Sequence, residues 1–487
     1  MSKRFLCWDT AGMAQNRGVQ VVPHKPEKKD LALICDNEWE GVHNGYGSIV
    51  QVGDTVRLYY RADPTRHLTD TKTMSPGRAT ICVAESRDGG RTFRKPCIGK
   101  YEYNGSKCNN IVYDQQRHGK AIDNFSVFYD TNPDCPANEK FKALSERNYG
   151  PSNGGVKLIY FASADGYDFR EIGPLPIRGT FDTYNVTFWD AETKQYFLYY
   201  RGFHGKADGE DHLRWALVKP DDIRDIRVAT SPDFRTWTEH GRIAFEEGQA
   251  DTPMYTNQIT KYFRSTDTFI GFPVRYNDRA AEKRNFDFMP LADRHRRITE
   301  LWGREGTAVT DCTIMTSHDG FTFDRRDEAF MTPGPESRTN WWYGNCYTVY
   351  GLLETQADED GAPNEMSFYM GENYRIKNVN FRRYTLRLDG FFSWYAPYKG
   401  GEVLSKAVTV NGDTLKVNFA TSAVGGMTVE LCDESGTPLE GYASYVLFGD
   451  SVDRPVEFEQ PLSALAGQTV RLKIRLSDAH VYSFVFE

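Results

Sequence analysis

The chain has 487 residues, with 59 Lys and Arg against 67 Asp and Glu, so its formal net charge is −8. This acidic balance argues against nucleic acid or an anionic membrane surface as the main partner, because phosphate groups would be repelled. Hydrophobic residues make up 39% of the chain and aromatic residues 14%, which is enough for sizeable cores and excludes disorder over most of its length. No stretch approaches the roughly 18 consecutive apolar residues of a membrane-spanning helix.

The N-terminal residues carry two early cations without a following apolar stretch. We therefore expect no secretory signal and a cytoplasmic location, although a processed secreted form would have the same sequence. Nine cysteines without a C-x-x-C pair predict neither a disulfide framework nor a structural zinc site. The ten histidines do not cluster at ligand spacing, so we expect no catalytic metal and no cofactor, while a structural Ca²⁺ and the oligomeric state stay open.

Short runs of Val, Ile, Tyr, Phe and Thr, separated by Gly, Asp and Asn, predict strands over the first 400 residues, with no amphipathic helix of useful length among them. One local motif recurs, with Ser two residues before an Asp and an aromatic residue shortly after it. Asp should accept hydrogen bonds from the following backbone N–H groups, and Gly should adopt a positive φ. The copies are centred on Asp88, Asp165, Asp233, Asp319 and, in a weaker form, Asp389.

Successive motif aspartates lie 77, 68, 86 and 70 residues apart, which leaves room for four strands in each repeat. This period predicts an all-β protein built as a five-bladed β-propeller over residues 36–400. Residues 401–487 contain evenly spaced strand patterns without the turn motif, which predicts a C-terminal β-sandwich. The predicted strands there are Leu415–Ala420, Met427–Cys432, Thr469–Leu476 and Val481–Phe486. Residues 1–35 form a lead-in expected to wrap the propeller edge.

The inner strands of a propeller converge on one axis, so groups before the inner strands and at the ends of the second strands should share one face. Glu40, Asp123 and Asp182 occupy the first kind of position in three successive repeats, which makes them candidate catalytic acids. Carboxylates with aromatic and guanidinium neighbours suit a sugar site, where paired acids act at the anomeric carbon. The candidate substrate-binding residues are Arg61, Arg201, Tyr255, Asn257, Gln258, Arg275, Trp342 and Glu372.

The repeat plan and the acids before successive inner strands resemble the five-bladed glycoside hydrolases of family 32 and, more distantly, family 43. Four segments also resemble bacterial proteins labelled family 32-like, and this second resemblance covers nearly the whole chain. They are Trp39-Glu40-Gly41, Asp123-Asn124-Phe125, Tyr255-Thr-Asn257-Gln258 and Arg383-Tyr-Thr-Leu-Arg-Leu-Asp389-Gly390.

The family 32 resemblance implies that Glu40 is the nucleophile or base, Asp123 the transition-state stabiliser and Asp182 the general acid. Three family signatures are absent: Glu40 stands in place of an Asp, Asn124 in place of a Pro, and Asp182 in place of a Glu. The resemblance thus favours an exo-acting hydrolase of an oligosaccharide, on a furanoside or related sugar.

Two alternatives stay open at the level of sequence. Arg61, Arg201 and Arg275 could hold the anionic group of a uronide or sialoside, and the turn motif also resembles the Asp box of sialidases. A non-catalytic carbohydrate-binding propeller is the other alternative, because a fold does not decide a function.

Overall fold

The computed structural model describes residues 3–64, 79–118, 122–150 and 155–487, and the side chain of Asp123 lies outside this description. The described chain is nearly all-β. Its α-helices are Gln115–His118 and Ala292–Trp302, and its 3₁₀ helices are Ala137–Glu139, Trp215–Leu217, Ala280–Phe288, Gly303–Gly306 and Leu462–Leu465. The nine cysteines are all free thiols, and only Cys97 and Cys108 are exposed.

Most of the chain forms successive antiparallel units in which each strand pairs with the next strand of the sequence. Unit one comprises Gly47–Val52, Thr55–Ala62, Thr80–Ser86 and Ile111–Asp114. Unit two comprises Asp123–Tyr129, Phe141–Asn148, Val156–Ser163 and Arg170–Pro174. Unit three comprises Val186–Asp190, Gln195–His204, Ile223–Ser231 and Thr238–Arg242. Unit five comprises Leu353–Thr355, Glu365–Glu372 and Asn380–Arg387, and is completed by Glu27–Ile34 from the N-terminal segment.

Unit four is divided into two sheets at its second strand. The chain from Phe269 to Asp278 forms two strands, Phe269–Gly271 and Val274–Asp278, because Pro273 has no N–H to donate to a neighbouring strand. The three-stranded part is Met254–Thr256, Val274–Asp278 and Ala308–Cys312. The other part is Ala244–Phe245, Thr260–Lys261, Phe269–Gly271, Met315–Ser317 and Thr322–Arg325.

The innermost segments of neighbouring units bond directly to one another. A parallel bridge joins Ser48 of unit one to Tyr350, which precedes unit five, through the bond from the Ile49 N–H to the Tyr350 carbonyl (2.7 Å). Further contacts of this kind include Val127 N–H to Ser48 Oγ (2.9 Å), Ser126 Oγ to Asn185 O (2.5 Å) and Thr183 Oγ1 to Tyr255 O (2.5 Å). The segments that lead into the inner strands therefore lie side by side.

Four of the predicted turns form as expected. The Ser hydroxyl accepts the N–H of the residue at the corner, as in Ser317 Oγ with Gly320 N (2.9 Å), and Asp319 accepts the N–H groups of Phe321 and Thr322 (2.7 and 2.8 Å). Gly320 has a φ of 78°, and Phe323 is fully buried. Equivalent bonds occur at Asp88, Asp165 and Asp233.

The fifth copy has a different structure. Asp389 is fully buried and accepts hydrogen bonds from Tyr262 Oη (2.9 Å), Arg264 Nε (2.9 Å) and Ser483 Oγ (2.6 Å). Its carboxylate therefore joins unit four to the C-terminal sheet instead of closing a local turn.

The C-terminal part is a ten-stranded antiparallel sheet around a core that includes Trp394, Phe419 and Ile474. The predicted strands there are halves of two 18-residue strands, Leu415–Cys432 and Thr469–Phe486, with an irregularity between Thr421 and Gly426. Residues 4–23 of the lead-in join this sheet, whereas its last strand, Glu27–Ile34, pairs at the edge of unit five. The remaining strands are Arg4–Leu6, Met13–Arg17, Gln20–Pro23, Phe392–Ala396, Gly401–Ser405, Val408–Thr409, Pro438–Ala443 and Asp450–Val456.

Candidate active site

A stack of tyrosine rings occupies the place where the inner segments meet. Tyr46 stacks on Tyr184 (centroids 5.3 Å apart) and on Tyr347 (5.7 Å), and Tyr347 stacks on Tyr255 (5.8 Å). The hydroxyls of Tyr255 and Tyr343 lie 2.8 Å apart. Burial raises the pKa of these phenols above the usual tyrosine value, so they stay protonated and can donate hydrogen bonds. The stack brings several protonated phenol hydroxyls together at one place.

Asp182 and Arg201 lie beside this stack. Asp182 precedes the first strand of unit three, and Arg201 is on the second, where it is 2% exposed. Asp182 Oδ2 lies 3.3 Å from Arg201 Nη2, yet 45% of the Asp182 side chain is exposed. Arg201 Nε donates to the Thr180 carbonyl (3.1 Å), while Nη2 makes no hydrogen bond within the described residues. The pair thus combines a fixed cation with a carboxylate that a ligand can reach.

Arg201 also lies near Glu146 of unit two. Burial opposes its charge, but the carboxylates of Asp182 and Glu146 outweigh that effect and raise the pKa of Arg201. Glu146 is the strand partner of Asp123, which begins the inner strand of the same unit. The backbone therefore places the predicted acid Asp123 opposite a second carboxylate, while its side chain lies outside the described residues.

Two further arginines continue the cluster. The Arg224 guanidinium carbon lies over the rings of Phe203 (5.3 Å), Tyr255 (5.6 Å) and Tyr276 (5.0 Å), and that of Arg304 lies over Tyr276 (5.4 Å). The Arg201 guanidinium carbon also lies over the rings of Phe203 (5.3 Å) and Tyr255 (5.4 Å). We call these residues the tyrosine–arginine cluster: Tyr46, Tyr255, Tyr276, Tyr343, Tyr347, Asp182, Arg201, Arg224 and Arg304.

Glu40 lies in different surroundings. It is fully buried, and its carboxylate accepts hydrogen bonds from Tyr60 Oη (2.5 Å), Lys95 Nζ (2.7 Å) and the Asn37 N–H (2.7 Å). Within the described residues none of these bonds reaches the tyrosine–arginine cluster. A carboxylate with three donors and no exposed surface is not available as a nucleophile, so we interpret Glu40 as a structural anion.

Three predicted binding residues are also committed to other contacts. Arg275 donates two hydrogen bonds to Asp311 (2.7 and 2.6 Å). It is therefore not placed to bind a ligand anion together with Arg61 and Arg201, as the sequence predicted. Glu372 binds Arg382 (3.0 Å) and Lys28 (3.0 Å). Trp342 is buried against helix Ala292–Trp302, with Arg294 over its ring (4.8 Å).

The remaining predicted binding residues lie on or beside the inner segments. Arg61 lies 3.9 Å from the fully buried Asp63. Asn257 and Gln258 are each 2% exposed, and Asn257 Oδ1 accepts the Ile259 N–H (3.2 Å). Gln258 has a φ of 40°, and its Oε1 makes no hydrogen bond within the described part of the chain.

The helical insertion in unit four was not predicted. It runs from Ala280 to Gly306, and its helix Ala292–Trp302 buries only His295 and Ile298, a spacing that is hard to recognise among three arginines and two acids. The helix is tied down by Arg294, which donates to the Arg375 carbonyl (3.0 Å). The turn after the helix carries Arg304 to Tyr276.

A cavity of about 610 Å³ lies between this insertion and unit four. Its lining includes Tyr276, Phe286, Thr310 and Trp341, so Tyr276 borders both the cavity and the arginines. Volumes of this size suit small-molecule ligands.

Tyr46, Arg224, Arg304 and Glu146 were missed by sequence reasoning. Tyr46 could have been found, since it precedes the first strand of unit one much as Tyr184 precedes that of unit three. Arg304 could not, because the insertion interrupts the repeat on which the prediction depended.

No protein-family model matches the chain, and no curated protein sequence matches it. Among solved structures, a glycosyl hydrolase from Bacteroides ovatus is 13% identical, with 79% of this chain and 96% of that one covered and a TM-score of 0.41. A structure from work on the family 130 mannoside phosphorylases and glycoside hydrolases is 12% identical (78% and 96% covered, TM-score 0.39). An N-acetylgalactosamine deacetylase from F. plautii is 11% identical (94% and 95% covered, TM-score 0.41).

These similarities are too weak to establish a shared activity. Within the described residues, no group of three or more His, Cys, Asp or Glu is placed to hold a metal ion. None of the described helices has the length and apolar character needed to cross a membrane.

Proposed function

We propose that the protein is a glycoside hydrolase that cleaves an oligosaccharide at the tyrosine–arginine cluster, and that its five units form a five-bladed propeller around this site. A C-terminal β-sandwich would then support the propeller. The observation that carries the proposal is the reachable carboxylate of Asp182, held 3.3 Å from a buried guanidinium beside a stack of tyrosine rings.

The tyrosine rings supply what a sugar requires for binding. Aromatic faces pack against the C–H surface of a sugar ring, and the hydroxyls of Tyr255 and Tyr343 offer hydrogen bonds to its oxygens. Arg201 adds a fixed donor, because its Nη2 makes no hydrogen bond among the described residues. A bound sugar would satisfy that donor.

Most glycoside hydrolases use two carboxylates, one on each side of the bond that breaks. We assign Asp182 as the group that transfers a proton to the leaving oxygen. Glu146 takes the place that sequence analysis gave to Glu40, as base or nucleophile, because it also lies near Arg201. Asp123, the strand partner of Glu146, keeps its predicted role as stabiliser of the transition state.

The test is hydrolysis of a panel of aryl glycosides and natural oligosaccharides by wild type, Asp182→Asn and Glu146→Gln. We expect the wild type to release sugar from at least one substrate and both variants to lose that activity with unchanged thermal midpoints. Asp221→Asn is the matched control, since Asp221 is exposed in the same unit.

Hydrolysis that survives in both variants would place the active site elsewhere. Binding of sugars without turnover by any form would favour a carbohydrate-binding protein instead.

A further inference from the structure

Three guanidinium groups share three aromatic rings, of which Tyr276 also lines the cavity. Arg201 and Arg224 both lie over Phe203 and Tyr255, and Arg224 and Arg304 both lie over Tyr276. Strand pairing explains the first two positions. Arg224 pairs across the ladder with Phe203, and Arg201 is two residues before Phe203, so all three lie on one face of unit three.

The charges of this trio are poorly balanced. Asp182 lies 3.3 Å from Arg201, whereas Arg224 and Arg304 form no ion pair within the described residues. Arg224 Nε is buried without a hydrogen bond to any described group. Burial, followed by the charges of Arg201 and Arg304, lowers the pKa of Arg224 below the usual arginine value. Ring faces stabilise a cation only in part, since each such contact contributes about 0.5–2 kcal/mol.

Arg227 lies on the same strand as Arg224 but on the opposite face of the sheet, and its contacts are different. Arg227 binds Asp225 through Nε (2.9 Å) and Asp211 through Nη1 and Nη2 (both 2.8 Å). Ile223–Ser231 therefore carries one arginine that is fully paired and another that has aromatic neighbours but no anion.

We infer that Arg224 and Arg304, together with Arg201, bind an oxyanion, and that the substrates are glycosides whose sugar carries a carboxylate. The substrate assignment rests on the proposed function, whereas the oxyanion site can be tested alone. Guanidinium groups hold carboxylates by two parallel hydrogen bonds, and Arg224 and Arg304 both lie over the ring of Tyr276, which also lines the cavity that could hold the sugar. This trio replaces the predicted one, because Arg275 is paired with Asp311.

Isothermal titration of the full chain tests the site without requiring turnover. The ligands are glucuronate and galacturonate, their neutral counterparts glucose and galactose, and orthophosphate. We expect at least one uronate to bind tenfold or more tightly than its neutral counterpart. Arg224→Gln and Arg304→Gln should each weaken that binding by about 10- to 100-fold, the usual value of a hydrogen bond to a charged group.

Arg17→Gln is the control, because Arg17 is exposed on the C-terminal sheet. Thermal unfolding establishes that each variant is folded, and Arg304 is exposed, so its replacement should not disturb the core. Equal binding of acidic and neutral sugars, with no binding of orthophosphate, would overturn the oxyanion site.

Binding of orthophosphate alone would overturn the acidic-sugar assignment and give the site to a free oxyanion. Uronate binding without hydrolysis of any glycoside would keep the site and reject the proposed function. Hydrolysis of neutral glycosides alone, without uronate binding, would keep the proposed function and reject the oxyanion site.

Discussion

Glu40 and Asp182 occupy equivalent places in the chain, just before the inner strands of units one and three, yet they have opposite surroundings. Glu40 is fully buried and has three donors within 2.7 Å. Asp182 has one cation at 3.3 Å, and 45% of its side chain is exposed. The position of an acid in the repeat therefore predicts where it lies in the fold. The hydrogen-bond partners of its side chain decide whether its role is structural or catalytic.

The largest expected effect is on kcat, which should depend on Asp182 and not on Glu40. Asp182→Asn should reduce kcat by about 10²–10⁴, the usual contribution of a positioned acid or base, and leave the thermal midpoint unchanged. Glu40→Gln should lower the midpoint and leave kcat per folded molecule close to the wild-type value. Steady-state rates and thermal unfolding of both variants measure this; a kcat loss in Glu40→Gln with an intact midpoint would contradict it.

Lys95→Met sharpens the comparison by leaving Glu40 as a buried charge without its main cation. Breaking such a pair typically lowers the free energy of unfolding by about 3–5 kcal/mol, which urea unfolding measures. The double variant Lys95→Met/Glu40→Gln should recover much of that loss because no charge remains buried. A double variant no more stable than Lys95→Met would show that the pair is not what stabilises this region.

Tyr60→Phe keeps the ring and removes the hydrogen bond to Glu40 (2.5 Å), together with the one that Asn110 Nδ2 donates to the Tyr60 hydroxyl (2.8 Å). We expect a loss of about 1.5–3 kcal/mol in the free energy of unfolding, since the main bond lost is to a buried carboxylate that also binds Lys95. Tyr384→Phe is the matched control: its hydroxyl lies 3.3 Å from the half-buried Glu372, so its loss should be smaller. Equal losses in the two variants would refute the special role of Glu40.

The smallest effect concerns His204, on the face of unit three opposite Arg201. A hydrogen bond to Asp225 (3.0 Å), with a second to Asp251 (2.7 Å), raises the pKa of His204 above its usual value, and Arg227 and Asp211 complete the surroundings. A raised pKa stabilises the folded state fully below the unfolded value of about 6.5, and this contribution is lost as pH rises through the folded pKa.

Urea unfolding of wild type and His204→Gln from about pH 6 to pH 8 measures this contribution. The wild type should lose more stability than the variant as pH rises. Parallel pH profiles would contradict the assignment.

The repeat and its turns could be predicted because each depends on local chemistry. The hydroxyl of Ser317 and the carboxylate of Asp319 bind backbone N–H groups within a few residues, so a short motif contains all the information. The weaker copy at Asp389 has Arg387 where the other copies have Ser, and its partners Tyr262 and Ser483 come from distant parts of the chain. The missing Ser is the local sign that this copy does not close the same turn, whereas its distant partners could not be predicted.

The candidate site was predictable only in part for a related reason. Asp182, Arg201 and Tyr255 follow from the position of the inner strands, and the structure places them together. Glu40 binds Lys95, and Arg275 binds Asp311. These pairs depend on the tertiary structure, which the spacing of motifs along the sequence does not predict. Arg304 arrives through an insertion that interrupts the repeat.

The strand that completes unit five comes from the other end of the chain, since Glu27–Ile34 pairs with Asn380–Arg387. During synthesis the early strand leaves the ribosome well before its partner exists. At roughly 5–20 residues per second the wait lasts roughly 20–70 s. The strand begins Glu-Lys-Lys-Asp, and charged side chains on an unpaired strand discourage pairing with other chains. The charges that later sit on an outer strand thus protect the nascent chain until unit five can form.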